Sequence, residues 1–127
     1  MAAGPRMNSR RICPSAGLVE GGDGFRFTVT ENGTEVPAFV VRFKGRAHGW
    51  LNRCSHMPVE LDWQPARFFD TSGLYLICAT HGALYAPDTG RCVAGRCMHA
   101  GLVPVAVVER DGWIELNEEG GQGVGRQ

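Results

Sequence analysis

The chain has 127 residues, of which 43% are hydrophobic and 20% are charged, a composition typical of one small globular domain. Its 13 basic and 13 acidic residues cancel, which excludes the basic footprint of a nucleic-acid-binding protein. No apolar run approaches the roughly 20 residues that a membrane-spanning helix needs. We therefore expect neither nucleic acid nor a membrane among its partners.

The two ends of the chain are rich in glycine and polar residues. Residues 1–11 and 118–127 are predicted to be mobile tails around one domain of residues 12–117. The "SRR" near the start lacks the following apolar stretch of a twin-arginine export signal, so the cytoplasm is the expected compartment. Five cysteines, an odd number, fit a disulfide framework poorly, and a reducing compartment leaves thiols free for metals.

The middle of the chain is predicted to form β-strands joined by tight turns. An Asn-Gly dipeptide at 32–33 and an Asp-Gly dipeptide at 111–112 mark two hairpins, and residues 44–49 are predicted to be a further turn. In chain order the predicted strands are 25–29, 36–43, 50–52, 74–78, 102–110 and 113–116. No segment has a sustained period of 3.6 residues. The predicted fold class is therefore all-β, a small sandwich or barrel.

Two short segments each place a cysteine and a histidine in one loop. "NRCSHM" contains Cys54-x-His56 and "CATHGALY" contains Cys78-x-x-His81, with 21 residues between the two pairs. Each pair follows a predicted strand, where a rigid scaffold can present loop side chains. A lone cysteine or histidine there would be an ordinary buried or solvated residue. Four together predict a metal site, because thiolate and imidazole both bind zinc and iron.

Two kinds of metal site fit this donor set. A structural zinc would take two cysteines and two histidines as a tetrahedron, but such sites usually draw both cysteines from one loop. The mixed loops favour a binuclear iron–sulfur centre instead. In that arrangement two cysteines hold one iron, and two histidines hold the other.

The sequence resembles the Rieske 2Fe–2S family, and specifically a single-domain bacterial Rieske-type ferredoxin. The resemblance rests on "NRCSHM", "CATHGALYAPDTGRC" and "LVPVAVVERDGWIEL", and it covers roughly residues 12–117. It implies a small β sandwich or barrel with a two-loop cluster-binding subdomain and one 2Fe–2S cluster. It also implies that Cys54 and Cys78 bind the inner iron, and that His56 and His81 bind the outer iron near the surface.

The same resemblance assigns roles to residues around the cluster. Gly82 is either a site of close backbone approach, with its amide directed at a cluster sulfur, or an ordinary turn glycine. Tyr85 occupies the position of a tyrosine whose hydroxyl bonds a ligand sulfur in high-potential Rieske proteins; the alternative is a half-buried strand tyrosine. Those proteins also carry a serine where this chain has Ala83, which cannot donate. Fewer donors predict a potential in the lower part of the range of roughly −150 to +300 mV.

Several further residues have candidate roles. Cys92 and Cys97 could be extra ligands, a redox pair or two reduced thiols, and the last interpretation is preferred because the cluster already has four ligands. The tryptophans Trp50, Trp63 and Trp113 are predicted to pack in or around the core. His48 and His99 are expected at the surface without a role.

The resemblance implies an electron-transfer function. A Rieske cluster moves one electron at a time, and Rieske oxygenases add a mononuclear iron domain for which this chain leaves no room. We therefore expect a soluble carrier without catalytic activity of its own, passing electrons from a flavin reductase to an oxygenase or other terminal enzyme. The alternatives are a Rieske-like small subunit of a larger oxidoreductase such as assimilatory nitrite reductase, a zinc-stabilised β binding module, and a redox or iron sensor.

Overall fold

The computed structural model describes residues 9–54, 59–62, 64–78, 82–95 and 100–117, and within these ranges the chain is built from short β-strands. The strands are β1 (Ser9–Pro14), β2 (Phe25–Glu31), β3 (Thr34–Phe43), β4 (Arg46–Leu51), β5 (Leu76–Ile77), β6 (Leu84–Tyr85), β7 (Cys92–Ala94), β8 (Pro104–Val105), β9 (Val107–Arg110) and β10 (Trp113–Asn117). A single 3-10 turn at Ser15–Gly17 is the one helical segment of the described ranges. No helix in this part of the chain has the length and apolar character needed to cross a bilayer. The all-β prediction is confirmed.

The strands form three antiparallel sheets with the orders β1-β10-β9, β2-β3-β4-β8 and β5-β6-β7. Both hairpin turns predicted from the sequence are present. Asn32 and Gly33 have φ angles of 53° and 78°, and Asp111 and Gly112 have 54° and 83°. Two consecutive left-handed residues make the kind of turn whose twist matches that of the flanking strands.

Two predicted boundaries were wrong. The turn between β3 and β4 contains only Lys44 and Gly45, with φ angles of 54° and 79°, so pairing resumes at once between Phe43 and Arg46. Residues 46–49, predicted as part of that turn, belong to β4. The single strand predicted at 102–110 is divided into β8 and β9, because β8 pairs with β4 and β9 pairs with β10. The chain changes sheets at this point.

The fold begins earlier than the sequence suggested. β1 starts at Ser9, three residues before the predicted domain start, because Ser9, Arg10 and Arg11 pair with the last strand, β10. Residues 9–11 are therefore part of the first sheet and not of a tail. The rest of the predicted tails, residues 1–8 and 118–127, lie outside the described residues.

The largest buried apolar cluster joins the second sheet to the third. Phe39 on β3 stacks on Phe68 with ring centroids 3.9 Å apart, and both side chains are fully buried. Trp50 on β4 lies in the same cluster, and its Nε1 donates to the Pro87 carbonyl at 3.1 Å, in the turn after β6. The predicted core role of Trp50 is confirmed. Trp113 is half-buried with the Arg11 guanidinium 4.4 Å from its ring, and Trp63 lies outside the described residues.

Arg42 links the second sheet to the first. Its guanidinium donates to Glu109 on β9 through two hydrogen bonds of 2.8 and 3.2 Å, and to the carbonyls of Leu18 at 2.7 Å and Ser15 at 3.2 Å. Bidentate pairs of this kind are the stronger class of ion pair. The hydrogen bonds from Arg42 lower the pKa of Glu109 below its usual value.

Replacing Glu109 by glutamine should make the protein less stable at neutral pH and less sensitive to acid. Because the pKa of Glu109 is lower in the folded chain, its contribution is complete above the unfolded pKa and is lost as the pH falls through the folded value. Glu109 is partly exposed, so we expect a loss of roughly 1 kcal/mol at pH 7. Urea unfolding between pH 3 and 7 measures it, with the exposed Glu35→Gln as control. Equal acid sensitivity of Glu109→Gln and the natural protein would contradict the prediction.

Candidate metal centre

Cys54 begins the first ligand loop, residues 54–59, just after β4. Its side chain is 2% exposed. Its backbone N–H donates to the Val59 carbonyl at 2.8 Å, which closes the loop. Residues 55–58 within this loop lie outside the described residues, and they include His56.

Cys78 begins the second ligand loop, residues 78–83, directly after β5. Its side chain is fully buried, and its N–H donates to the Ala83 carbonyl at 2.9 Å. The closing hydrogen bond therefore spans five residues, the same separation as in the first ligand loop. Residues 79–81, including His81, lie outside the described residues. The predicted position of both cysteines, on loops that follow strands, is confirmed.

The two cysteines share one environment. Neither Cys54 nor Cys78 is in a disulfide, and both belong to the apolar cluster between the second and third sheets. The third cysteine outside a disulfide, Cys13, lies in a different cluster with Val40 and Ile114, where burial raises the pKa of its thiol. A buried cysteine of that kind behaves as a small hydrophobic residue. The fold thus separates two sulfur donors in adjacent loops from one packing cysteine.

Tyr85 connects the two ligand loops. It lies on β6, after the second ligand loop, and its hydroxyl oxygen is 3.4 Å from the Cys54 Sγ of the first. The side chain is fully buried, so the alternative of a half-buried strand tyrosine does not describe it. When the cysteine is a thiolate, the phenol is the donor of this contact. Sequence similarity pointed to Tyr85, and the structure places its hydroxyl against a candidate ligand sulfur.

Gly82 is explained by the turn that it makes. Its φ is 70°, in the region that favours glycine, and its N–H donates to the Cys78 carbonyl at 2.7 Å. A Cβ at this position would meet no atom within 4 Å, so close packing does not require the glycine. The amide is used to close the loop, which favours the turn interpretation over an amide directed at sulfur.

Ala83 packs against the segment after β7. It is fully buried and has no hydroxyl to donate, as its sequence implied. A Cβ on Gly95 would lie only 2.9 Å from the Ala83 Cα, closer than real side chains approach. Gly95 therefore lets the end of β7 lie directly on the second ligand loop. The residues that follow, 96–99, lie outside the described residues.

Cys92 does not match the preferred interpretation of a reduced thiol. It is disulfide-bonded, whereas Cys13, Cys54 and Cys78 are not. A sulfur held in a disulfide is not a thiolate ligand, so the extra-ligand role is also excluded for Cys92. Cys97, the remaining cysteine of the five in the sequence, lies outside the described residues. An odd cysteine count cannot reveal that Cys92 differs in state from Cys13, Cys54 and Cys78.

The described residues fit the sulfur half of a 2Fe–2S centre. They supply two cysteines outside any disulfide at the start of adjacent loops, an apolar surrounding, and one hydroxyl beside a sulfur. Within the described ranges no group of three or more histidine, cysteine, aspartate or glutamate side chains could hold a metal. The predicted histidine ligands, His56 and His81, lie outside those ranges.

Comparison with known proteins gives a family match over most of the chain. The model of the Rieske [2Fe-2S] domain family matches residues 10–112. No curated protein sequence matches the chain. Solved structures do match. The three described next are 20–23% identical to the chain, which shows similarity of fold alone.

Three of the similar solved structures come from carbazole 1,9a-dioxygenase systems. The ferredoxin from Nocardioides aromaticivorans IC177 is 22% identical with a TM-score of 0.64, covering 86% of this chain and 96% of its own. A complex of reduced oxygenase and oxidized ferredoxin matches at 20% identity and a TM-score of 0.67, over 88% and 94%. The terminal oxygenase from Novosphingobium sp. KA1 is 23% identical with a TM-score of 0.68, over 94% of this chain but 30% of its own.

Proposed function

Because the chain belongs to the Rieske [2Fe-2S] domain family, we propose that it is a one-electron carrier that passes electrons from a reductase to an oxygenase or another terminal enzyme. The 2Fe–2S cluster of this family supplies one-electron chemistry at a potential that neutral histidine ligands raise. The observation that carries the proposal is the pair of buried cysteines in adjacent loops, neither of them in a disulfide, inside the region that the family model matches.

We propose that Cys54 and Cys78 bind one iron, and that His56 and His81 bind the other. The cysteine half is supported by the identical closure of the two ligand loops and by their shared apolar cluster. The histidine half is supported by spacing alone, since each histidine lies within the loop that its cysteine begins. Zinc is the poorer occupant because each loop contributes one residue of each type.

The surrounding residues have distinct proposed tasks. The apolar cluster keeps water from the two sulfurs and so limits loss of the metal centre. The Tyr85 hydroxyl, 3.4 Å from the Cys54 Sγ, stabilises added negative charge on that sulfur. Ala83 adds no second donor at its position, and we retain the prediction of a potential in the lower part of the Rieske range.

We propose that the partners are redox proteins. The similar structures include a ferredoxin bound to an oxygenase, which is the kind of transient complex that an electron carrier forms. We also propose a cytoplasmic location, which the three cysteines outside a disulfide support because a reducing compartment keeps thiols reduced. The disulfide at Cys92 argues against that location, so cell fractionation with a count of reduced thiols is the measurement that decides it.

Electron transfer through the purified protein tests the proposal. An NADH-dependent flavoprotein reductase and cytochrome c are mixed anaerobically with catalytic amounts of the cluster-loaded protein. We expect cytochrome c reduction to depend on the added protein and to vanish with the Cys78→Ser variant. Reduction by dithionite should take up one electron per cluster. The carrier function would be contradicted if the cluster accepts this electron but loses it no faster with an acceptor protein than in buffer alone.

A further inference from the structure

The two ligand loops are held at their bases in different ways. The second ligand loop sits on a regular ladder, in which Leu76 pairs with Tyr85 and Ile77 with Leu84. The first ligand loop leaves β4 at Leu51, and the described residues after it, 59–62, form no strand. Among the described residues, the bond from the Cys54 N–H to Val59 is therefore not followed by strand pairing below the first loop, as it is below the second.

The Asn52 side chain takes the place of the missing strand. Its Oδ1 accepts the Leu61 N–H at 2.8 Å, as a backbone carbonyl would in a ladder. Residues 52 and 61 each lie two positions outside the Cys54–Val59 bond, so the side-chain bond is the next rung down from it. The Asn52 N–H donates to the Pro37 carbonyl at 2.9 Å, which fixes this rung to β3. Asn52 is only 2% exposed, so water does not compete for these bonds.

Asp62 fixes the orientation of the Asn52 amide. The Asn52 Nδ2 donates to one oxygen of Asp62 at 3.3 Å. The other oxygen accepts from the Ala66 N–H at 3.1 Å and from the Arg26 guanidinium at 3.3 Å. The Asp62 side chain is 3% exposed, and Arg26 also binds Glu60 at 3.0 Å. With its donor end committed to Asp62, Asn52 must present its oxygen to Leu61.

We propose that Asn52, oriented by Asp62, is a positioning residue that sets the place of the Cys54 sulfur at the metal centre and beside Tyr85. This inference rests on the proposed role of Cys54 as an iron ligand. The chain from Asn52 to the ligand is short: the rung at Leu61, the loop closure at Val59, and then Cys54 itself. Removing the rung takes away the hydrogen bond next to the loop closure, so the base of the first ligand loop is held less firmly.

The test compares cluster retention with global stability in four proteins: the natural chain, Asn52→Ala, the double variant Asn52→Asp/Asp62→Asn, and Val29→Ala. Val29 is buried in the cluster formed with Leu116, which contains neither Cys54, Cys78 nor Tyr85, so its truncation lowers stability without removing a contact of either sulfur. We expect Asn52→Ala to lose its visible absorption to a strong iron chelator about tenfold faster, the factor that one net hydrogen bond supplies. Its reduction potential should also fall, because Cys54 moves away from the Tyr85 hydroxyl.

The double variant supplies the rescue. An aspartate at position 52 still accepts from Leu61, and an asparagine at position 62 donates to it while keeping an oxygen for Ala66. This exchange reverses one hydrogen bond and preserves the rung, so resistance to the chelator should recover. If Asn52→Ala does not accumulate as folded protein, Asp62→Asn alone carries the test. This variant places the amide group of the new asparagine at position 62 against the Asn52 Nδ2 donor, and it should also speed cluster loss.

The following results separate three possible failures. The positioning role is wrong if Asn52→Ala keeps both its cluster and its reduction potential at the values of the natural chain. It is also wrong if, at equal unfolding midpoints, these two properties change no more in Asn52→Ala than in Val29→Ala. If the natural chain itself holds no 2Fe–2S cluster, the proposed function fails before the variants are compared. If Asn52→Ala loses its cluster faster and the double variant does not recover, the assigned hydrogen bond between the side chains of residues 52 and 62 is also overturned.

Discussion

Replacing Cys78 by serine should abolish the metal centre while leaving the β-sheets folded. Cys78 is a fully buried cysteine outside any disulfide that begins the second ligand loop, and serine keeps its size but not the sulfur proposed to bind iron. We expect iron and acid-labile sulfide to fall at least tenfold, and the visible absorption to disappear with them. Iron analysis and visible spectroscopy on freshly purified protein make the measurement, with far-ultraviolet circular dichroism to confirm the fold.

Cys13→Ser is the matched control for this substitution. Cys13 is also outside any disulfide and 1% exposed, but it packs against Leu18 and Ile114 in a separate cluster. Its serine variant should lose stability, since a buried hydroxyl without a partner is costly, and yet keep its iron and sulfide. Full iron and sulfide in Cys78→Ser, or equal loss in both variants, would contradict the assignment of Cys78 as a ligand.

Replacing Tyr85 by phenylalanine should lower the reduction potential. The phenol is fully buried with its oxygen 3.4 Å from the Cys54 Sγ, and a donor to sulfur stabilises the reduced, more negative state. A net hydrogen bond contributes about 0.5–1.5 kcal/mol, which corresponds to a decrease of roughly 20–60 mV for a one-electron couple. The measurement is a redox titration followed by visible absorption, with the cluster content of both proteins matched.

Tyr75→Phe controls for the loss of a phenol in general. Tyr75 is the other tyrosine of the chain, and it is 39% exposed just before β5. Its variant should keep the potential of the natural protein. An unchanged or higher potential in Tyr85→Phe would show that the hydroxyl does not stabilise the reduced centre. The natural protein should itself titrate in the lower part of the range of roughly −150 to +300 mV.

The sequence predicted those parts of the fold that local patterns determine. Asn32-Gly33 and Asp111-Gly112 turn as predicted, because their left-handed backbone is a property of the dipeptide. The two-residue strand β6 and the arginine-rich β1 are defined by their pairing partners instead, so periodicity within those segments carries little information. The same holds for the separation of β8 from β9, which depends on a change of sheet.

The candidate site shows the same division. The spacing of Cys54 and Cys78 within their motifs was visible in the sequence, and so was the position of Tyr85. The rung formed by Asn52 and Leu61 was not visible, because an asparagine two residues before a cysteine carries no signal by itself. The disulfide state of Cys92 was predicted wrongly, since it depends on tertiary distance and not on the number of cysteines.

The most direct measurement is the cofactor content of the freshly purified chain, combined with an electron paramagnetic resonance spectrum after reduction by dithionite. The family assignment predicts two irons and two sulfides per chain, a red-brown colour and the signal of a reduced 2Fe–2S centre with nitrogen ligands on one iron. A colourless protein with one bound zinc and no acid-labile sulfide would contradict it.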